Sequence, residues 1–232
     1  MIPLKSDNPR VSFAVVNAIL IAVNILIFMY QFSLGPKEDQ RLVNTYGVVP
    51  ARAELLVSPT PGHHVTPPQV AETLVTSMFL HGGWLHVLGN MLFLWVFGGS
   101  VEDRLGHFTY FLFYMVCGVG SGLFHTIINW GSKIPTIGAS GAISGVMGAY
   151  IVLFPRSRIL TLIPVFIIFF TVRLPAILIL GYWFILQFLS GVGSLGVTDQ
   201  GGVAWWAHVG GFLLGALLVL GHRGPRSKPV QV

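Results

Sequence analysis

The chain has 232 residues, of which only 9% are charged and 53% hydrophobic, and its mean hydropathy is +0.76. A soluble domain carries about a quarter charged residues, so this composition excludes an ordinary water-soluble fold and makes one integral membrane domain the simplest organisation. The net charge of +5 and pI near 9.7 come from basic residues set singly or in twos at the ends of apolar runs. That placement suits orientation signals and contacts with anionic lipid heads, and it argues against nucleic acid as a partner.

Six membrane spans are predicted in an all-α bundle. Residues 1–12 form a cytoplasmic tail with Lys5 and Arg10, and the first span runs from about Phe13 to Phe32. At roughly 20 residues it is long enough for a bilayer core of about 30 Å and too long for a signal peptide. A polar external loop follows over about 33–75, partly helical at the interface. The second span starts at about Thr76 or Leu85 and ends near Phe97, with GGSVEDRLG as a polar turn after it. The third covers about Phe108 to Ile128 and includes the single cysteine, Cys117, so no intrachain disulfide exists. The fourth begins close to Ser140 and stops before Pro155. The apolar region Ile159 to Leu189 is interrupted by Pro164, Arg173 and Pro175; its later part is the fifth span and its earlier part an interfacial or connecting segment. The sixth span is about Val203 to Leu220, and the membrane domain over 13–221 ends in a basic cytoplasmic tail, 222–232.

Six spans put both termini on one side. That side holds Lys5, Arg10, Arg104, Arg156, Arg158, Arg173, Arg223, Arg226 and Lys228, nine cations against the four of the other side, Lys37, Arg41, Arg52 and Lys133. The bias places both termini in the cytoplasm, in a membrane read as a prokaryotic plasma membrane.

Polar groups inside a membrane are expensive and mark function by default. None of the eight carboxylates falls in the middle of a span, which disfavours proton relays and cation pathways. His81, His86 and Asn90 remain on the second span, His125 near the end of the third, Ser140 and Ser144 on the fourth and His208 on the sixth. Ser140, Ser144 and Gly148 recur every four residues, with Gly141 and Gly145 beside them; Ala207, Gly211 and Gly215 repeat at the same interval next to His208. Such small-residue stripes let helix backbones approach closely, so spans four and six are expected to pack together and bring Ser140 within reach of His208. A glycine-rich helix pair by itself is ordinary packing, and a lone serine in a membrane helix usually bonds its own backbone. Here the serine acquires a base: neutral histidine can take its proton, and His86 and Asn90, four apart on one face, supply donors for an acyl-transfer oxyanion. From Ser140 to Phe154 the fourth helix is only about 22 Å long, which leaves room for a water-filled cavity above it.

These residues resemble the rhomboid intramembrane serine proteases. HGGWLHVLGN is similar to that family's HxxxxHxxxN element, IGASGA to its GxSG nucleophile motif and AHVGGFLLG to its AHxxGxxxG element, in the family's order over about Tyr46 to Gly221. The resemblance implies a six-helix rhomboid-like bundle with a short central fourth helix. It also implies a serine endopeptidase working through a Ser140–His208 dyad and an acyl-enzyme, without cofactor or metal. By the same resemblance His86, Asn90 and the Ser140 N–H line the oxyanion hole, Gly138 belongs to the nucleophile loop, and Gly211 lets spans four and six touch. Single-span membrane proteins with a small residue before the cut are the implied substrates. His81 matches a motif position but would lie about 180° around a helix from Asn90, so a structural hydrogen bond is expected of it. Ser144 stands where many members carry an aromatic ring against the catalytic histidine, leaving Ser144, a water or a neighbouring aromatic to orient His208. YGVVPARAELL lacks the Trp-Arg common in the first external loop, and Val203 replaces a frequent glycine.

Other readings are weaker. His63 and His64 in a proline-rich loop read as solvated, Trp205 and Trp206 as an interfacial belt, and Trp183, Phe184 and Phe188 as lipid-facing or packing residues. A zinc site of His81, His86 and His208 lacks HExxH and a nearby acid. A transporter would show repeats between 1–116 and 117–232, and none is evident. A non-catalytic rhomboid-like protein that binds membrane helices is the main alternative; such relatives usually lack the serine or histidine, and this chain has both.

Overall fold

The computed structural model describes residues 1–8, 12–62, 64–165, 168–195 and 202–222. Four helices among them are long and apolar enough to cross a membrane: Val15–Ser33, Trp84–Leu105, His107–Ile128 and Ala176–Gly193. Two shorter apolar helices, Ser140–Leu153 and Trp205–Leu218, complete the bundle. The protein is an integral membrane protein.

The first of these, α1 (Val15–Ser33), buries Asn17, Leu20, Asn24, Phe28 and Gln31 on one face. The polar members of that face work as clips. Asn17 donates to the Leu94 carbonyl at 3.1 Å and accepts from the Tyr110 hydroxyl at 2.8 Å, while Gln31 exchanges bonds with the His81 backbone at 2.9 and 3.3 Å. The segment after α1 folds into α2 (Pro36–Tyr46), α3 (Pro50–Val57) and α4 (Pro67–Thr76), each with proline at its start where a missing N–H costs nothing.

The second span is α5 (Trp84–Phe93), a π-helical turn at Leu94–Gly98 and α6 (Gly99–Leu105). GGSVEDRLG is thus largely helical rather than a turn, and the chain reverses at Gly106, whose φ is +81°. Within this segment Glu102 faces inward. Its carboxylate is buried, accepts the N–H groups of Val16 and Asn17 at 2.9 and 2.7 Å, and meets His107 Nδ1 at 2.5 Å, so it caps α1 from inside the protein. Next come α7 (His107–Ile128) and α8 (Ser140–Leu153); every residue of α8 from Gly141 to Tyr150 is buried, as expected of a helix apolar all round. The remaining helices are α9 (Ala176–Gly193) and α10 (Trp205–Leu218).

Two expectations change. The connection ahead of the fifth span is a β-hairpin of β2 (Arg158–Val165) and β3 (Ile168–Pro175), and the N-terminal tail contributes β1 (Ile2–Ser6), giving an antiparallel sheet β1-β2-β3 beside the bundle. Ile2 pairs with Leu162 and Ser6 with Ile159. Tyr150, at the end of α8, fastens this sheet: its hydroxyl contacts Ser6 Oγ at 2.6 Å and Ser157 Oγ at 2.7 Å and accepts from Asn8 at 2.9 Å, while Ser157 donates to Asp7 at 2.7 Å. Arg10, His63 and the basic tail with Arg223, Arg226 and Lys228 lie outside the described residues.

Candidate active site

Ser140 is the first residue of α8, and the loop before it is pinned on both flanks. Thr136 and Val48 exchange backbone bonds at 2.7 and 3.0 Å, and His125 Nε2 lies 3.0 Å from Thr136 Oγ1. Gly138 donates to the Ser77 carbonyl at 2.8 Å with φ at +124°, a region that only glycine enters without strain. A Cβ at Gly138 would stand 2.7 Å from His86 Nε2 and 3.6 Å from Ser140 Oγ, so both side chains close around this backbone.

His208 arrives from α10 because the two helices touch at backbone distance. A Cβ at Gly211 would collide with the Gly141 carbonyl, one at Gly215 with the Gly145 carbonyl, and one at Gly148 with the Phe212 carbonyl. The stripes therefore mesh as their spacing predicts, with Gly141 also tight against Ser121. His208 Nε2 lies 2.8 Å from Ser140 Oγ, and its Nδ1 lies 2.7 Å from Gln187 Oε1 on α9. Trp183, one turn earlier on α9, faces the imidazole at 5.7 Å between ring centroids, and Trp205 meets it edge-on at 6.4 Å.

Across the cavity, Gly82 donates its N–H to His86 Nδ1 at 3.2 Å. The proton of neutral His86 must then sit on Nε2, the nitrogen next to Gly138. Asn90 donates one amide proton to His81 Nε2 at 3.0 Å, which leaves its second N–H for a ligand. His81 is not on the helix, because α5 begins at Trp84; the angular separation from Asn90 expected of a continuous helix does not apply, and the two side chains touch. His86, Asn90, Ser140 and His208 line one cavity of about 1480 Å³, bounded by Glu54 of α3 and by Ser132 to Ile137. A smaller inner recess of about 230 Å³, floored by Phe93, Ile143, Met147 and Trp183, continues from it.

Several sequence readings change here. Ser144 does not orient His208, because its hydroxyl is spent on the Ser140 carbonyl at 2.6 Å, the usual bond of a serine inside a helix. Of the alternatives open for Trp183, packing holds, and it is the neighbouring aromatic against His208; Trp206 packs between Phe124 and Phe188. Gln187 escaped the sequence reading altogether. Its signal was there: an amide in the apolar run of α9, four residues after Trp183. Among the described residues no group of three His, Cys, Asp or Glu side chains converges as a metal site.

Fold and site together define a helical membrane protein with a hydrogen-bonded serine–histidine pair lining a cavity. The family model for the Rhomboid domain matches residues 68–223, about two thirds of the chain, and the chain belongs to the rhomboid family. It is 32% identical over 155 residues to Rhomboid protein 1, mitochondrial, of Saccharomyces cerevisiae, a match covering 62% of this chain and 40% of that protein. It is 34% identical over 145 residues to RHOMBOID-like protein 1 of Arabidopsis thaliana, covering 62% and 33%. Rhomboid protease GluP of Bacillus subtilis is 31% identical over 157 residues, covering 67% and 27%. The chain thus spans well under half the length of these relatives.

Proposed function

We propose that this protein is an intramembrane serine endopeptidase that cuts single-span membrane proteins in or near their transmembrane segments. The observation that carries the reading is the 2.8 Å contact between Ser140 Oγ and His208 Nε2 beside the cavity. Ser140 Oγ attacks the scissile carbonyl carbon while His208 Nε2 takes the hydroxyl proton. The tetrahedral oxyanion accepts from His86 Nε2–H, Asn90 Nδ2–H and the Ser140 N–H, which lies in the first turn of α8 where no intrahelical acceptor exists. His208 returns the proton to the leaving amine, and the acyl-enzyme ester remains. Water from the cavity then attacks the ester with His208 again as base, releasing the carboxylate and restoring Ser140. A substrate helix must unwind locally first, since its carbonyls are otherwise bonded within the helix.

Both termini are proposed to be cytoplasmic on the nine-to-four charge bias. The relatives come from mitochondria, from a plant and from a bacterium, and so select no particular membrane.

Cleavage of a tagged single-span substrate panel in proteoliposomes tests the activity. Wild type is expected to cut, and Ser140→Ala and His208→Ala to lose about 10³-fold or more, with a chelator without effect. Equal cutting by Ser140→Ala would refute the mechanism. Substrate binding without cleavage by wild type would instead favour a non-catalytic helix-binding protein.

A further inference from the structure

Gln187 has no part in the steps above, yet its position is costly without a purpose. It is an amide in the apolar helix α9, 7% exposed, and an amide buried at membrane depth is unfavourable unless bonded. Its Oε1 lies 2.7 Å from His208 Nδ1. A carbonyl oxygen only accepts, so Nδ1 must carry the imidazole proton, and the lone pair of Nε2 is left facing Ser140 Oγ. Trp183, at i−4 on α9, covers the ring face, so one helix sets both the tautomer and the plane of the base. Ser144, the other candidate for this work, is held by the Ser140 carbonyl.

We propose that Gln187 is a positioning residue: its Oε1 holds His208 in the Nδ1–H tautomer and in line with Ser140, so that the working unit is Ser140, His208 and Gln187 rather than a dyad. This rests on the protease reading above. In the attack step the Ser140 proton moves to Nε2, the Nδ1 proton stays on the imidazolium and bonds Gln187 more strongly, and Gln187 itself gains and loses no proton. A neutral amide also suits the bilayer, because a carboxylate there would have to be desolvated. The other titratable groups lining the cavity are His86 of α5, His125 of α7, Glu54 of α3 and Lys133 of the loop before α8; the bond to Nδ1 comes from Gln187.

The test uses the full chain in lipid nanodiscs with ¹⁵N-labelled histidine, as wild type, Gln187→Leu and Gln187→Glu, with His208→Gln to assign the His208 signals. Wild-type His208 is expected to be protonated on Nδ1 alone when neutral, and Gln187→Leu to show mixed tautomers. On a cleaved substrate, Gln187→Leu should lower kcat roughly 10- to 100-fold with KM little changed. Gln187→Glu should retain more activity than Gln187→Leu. A wild-type His208 protonated on Nε2, or Gln187→Leu with wild-type kcat, overturns the proposal. The tautomer is read without substrate, so it decides Gln187 even if wild type cuts nothing and the protease reading fails, or if Gln187→Leu does not fold.

Discussion

At the scale of single residues, the site depends on one backbone conformation. Gly138 turns the chain with φ at +124° and leaves no room for a Cβ before His86 Nε2. Gly138→Ala should therefore displace both the loop and His86, lowering kcat by about tenfold or more while the bundle stays folded. Single-turnover cleavage together with thermal unfolding separates these effects; unchanged kcat would show that the loop tolerates the strain. Ser140, His86, Asn90 and His208 were legible in the sequence because each is polar in an apolar setting and falls in a spaced motif. Gln187 and Trp183 belong to no motif, and their meaning depends on how α9 is rotated against α10, which periodicity does not reveal when nearly every residue of the helix is apolar.

Among the elements, the contact of α8 with α10 governs where the serine and histidine meet. A Cβ at Gly215 would strike the Gly145 carbonyl, and backbone cannot step aside as a flexible side chain can. Gly215→Ala should destabilise the protein by about 1–3 kcal/mol and separate the pair. Gly181 on α9 has open space around it, so Gly181→Ala should be neutral or stabilise by up to about 1 kcal/mol through helix propensity. Unfolding in mixed micelles compares the two; equal effects would mean that close packing is not what the stripe provides. The small-residue stripes were readable because their four-residue interval is itself the geometric signal. The hairpin was not, since RILTLIPV and IFFTVRLP form a nearly continuous apolar run that suits a buried strand and a membrane helix equally.

For the whole molecule, pairing of β1 with β2 forces the N-terminus and the connection between α8 and α9 onto one side. Lys5, Arg156, Arg158 and Arg173 are thereby gathered on that side, independently of counting spans, and Tyr150 locks the sheet to the C-terminal end of α8. In sealed right-side-out vesicles an impermeant maleimide should label a cysteine placed at Lys37 or Lys133 and spare one placed at Lys5 or Arg156. Cys117 is buried and gives little background. Labelling of the Lys5 and Arg156 sites from outside would invert the proposed orientation.

Composition and motif spacing by themselves determined the solvent, a bundle of six apolar helices with a short fourth, the meeting of the fourth and sixth, and the rhomboid resemblance, because hydrophobicity and helical period act locally along the chain. Tertiary structure alone decided that Glu102 caps α1, that the N-terminal residues join a sheet 150 positions away, and that Gln187 and Trp183 close on His208. Those contacts depend on how separate elements are rotated and brought together, and a pattern confined to one element does not encode its partner.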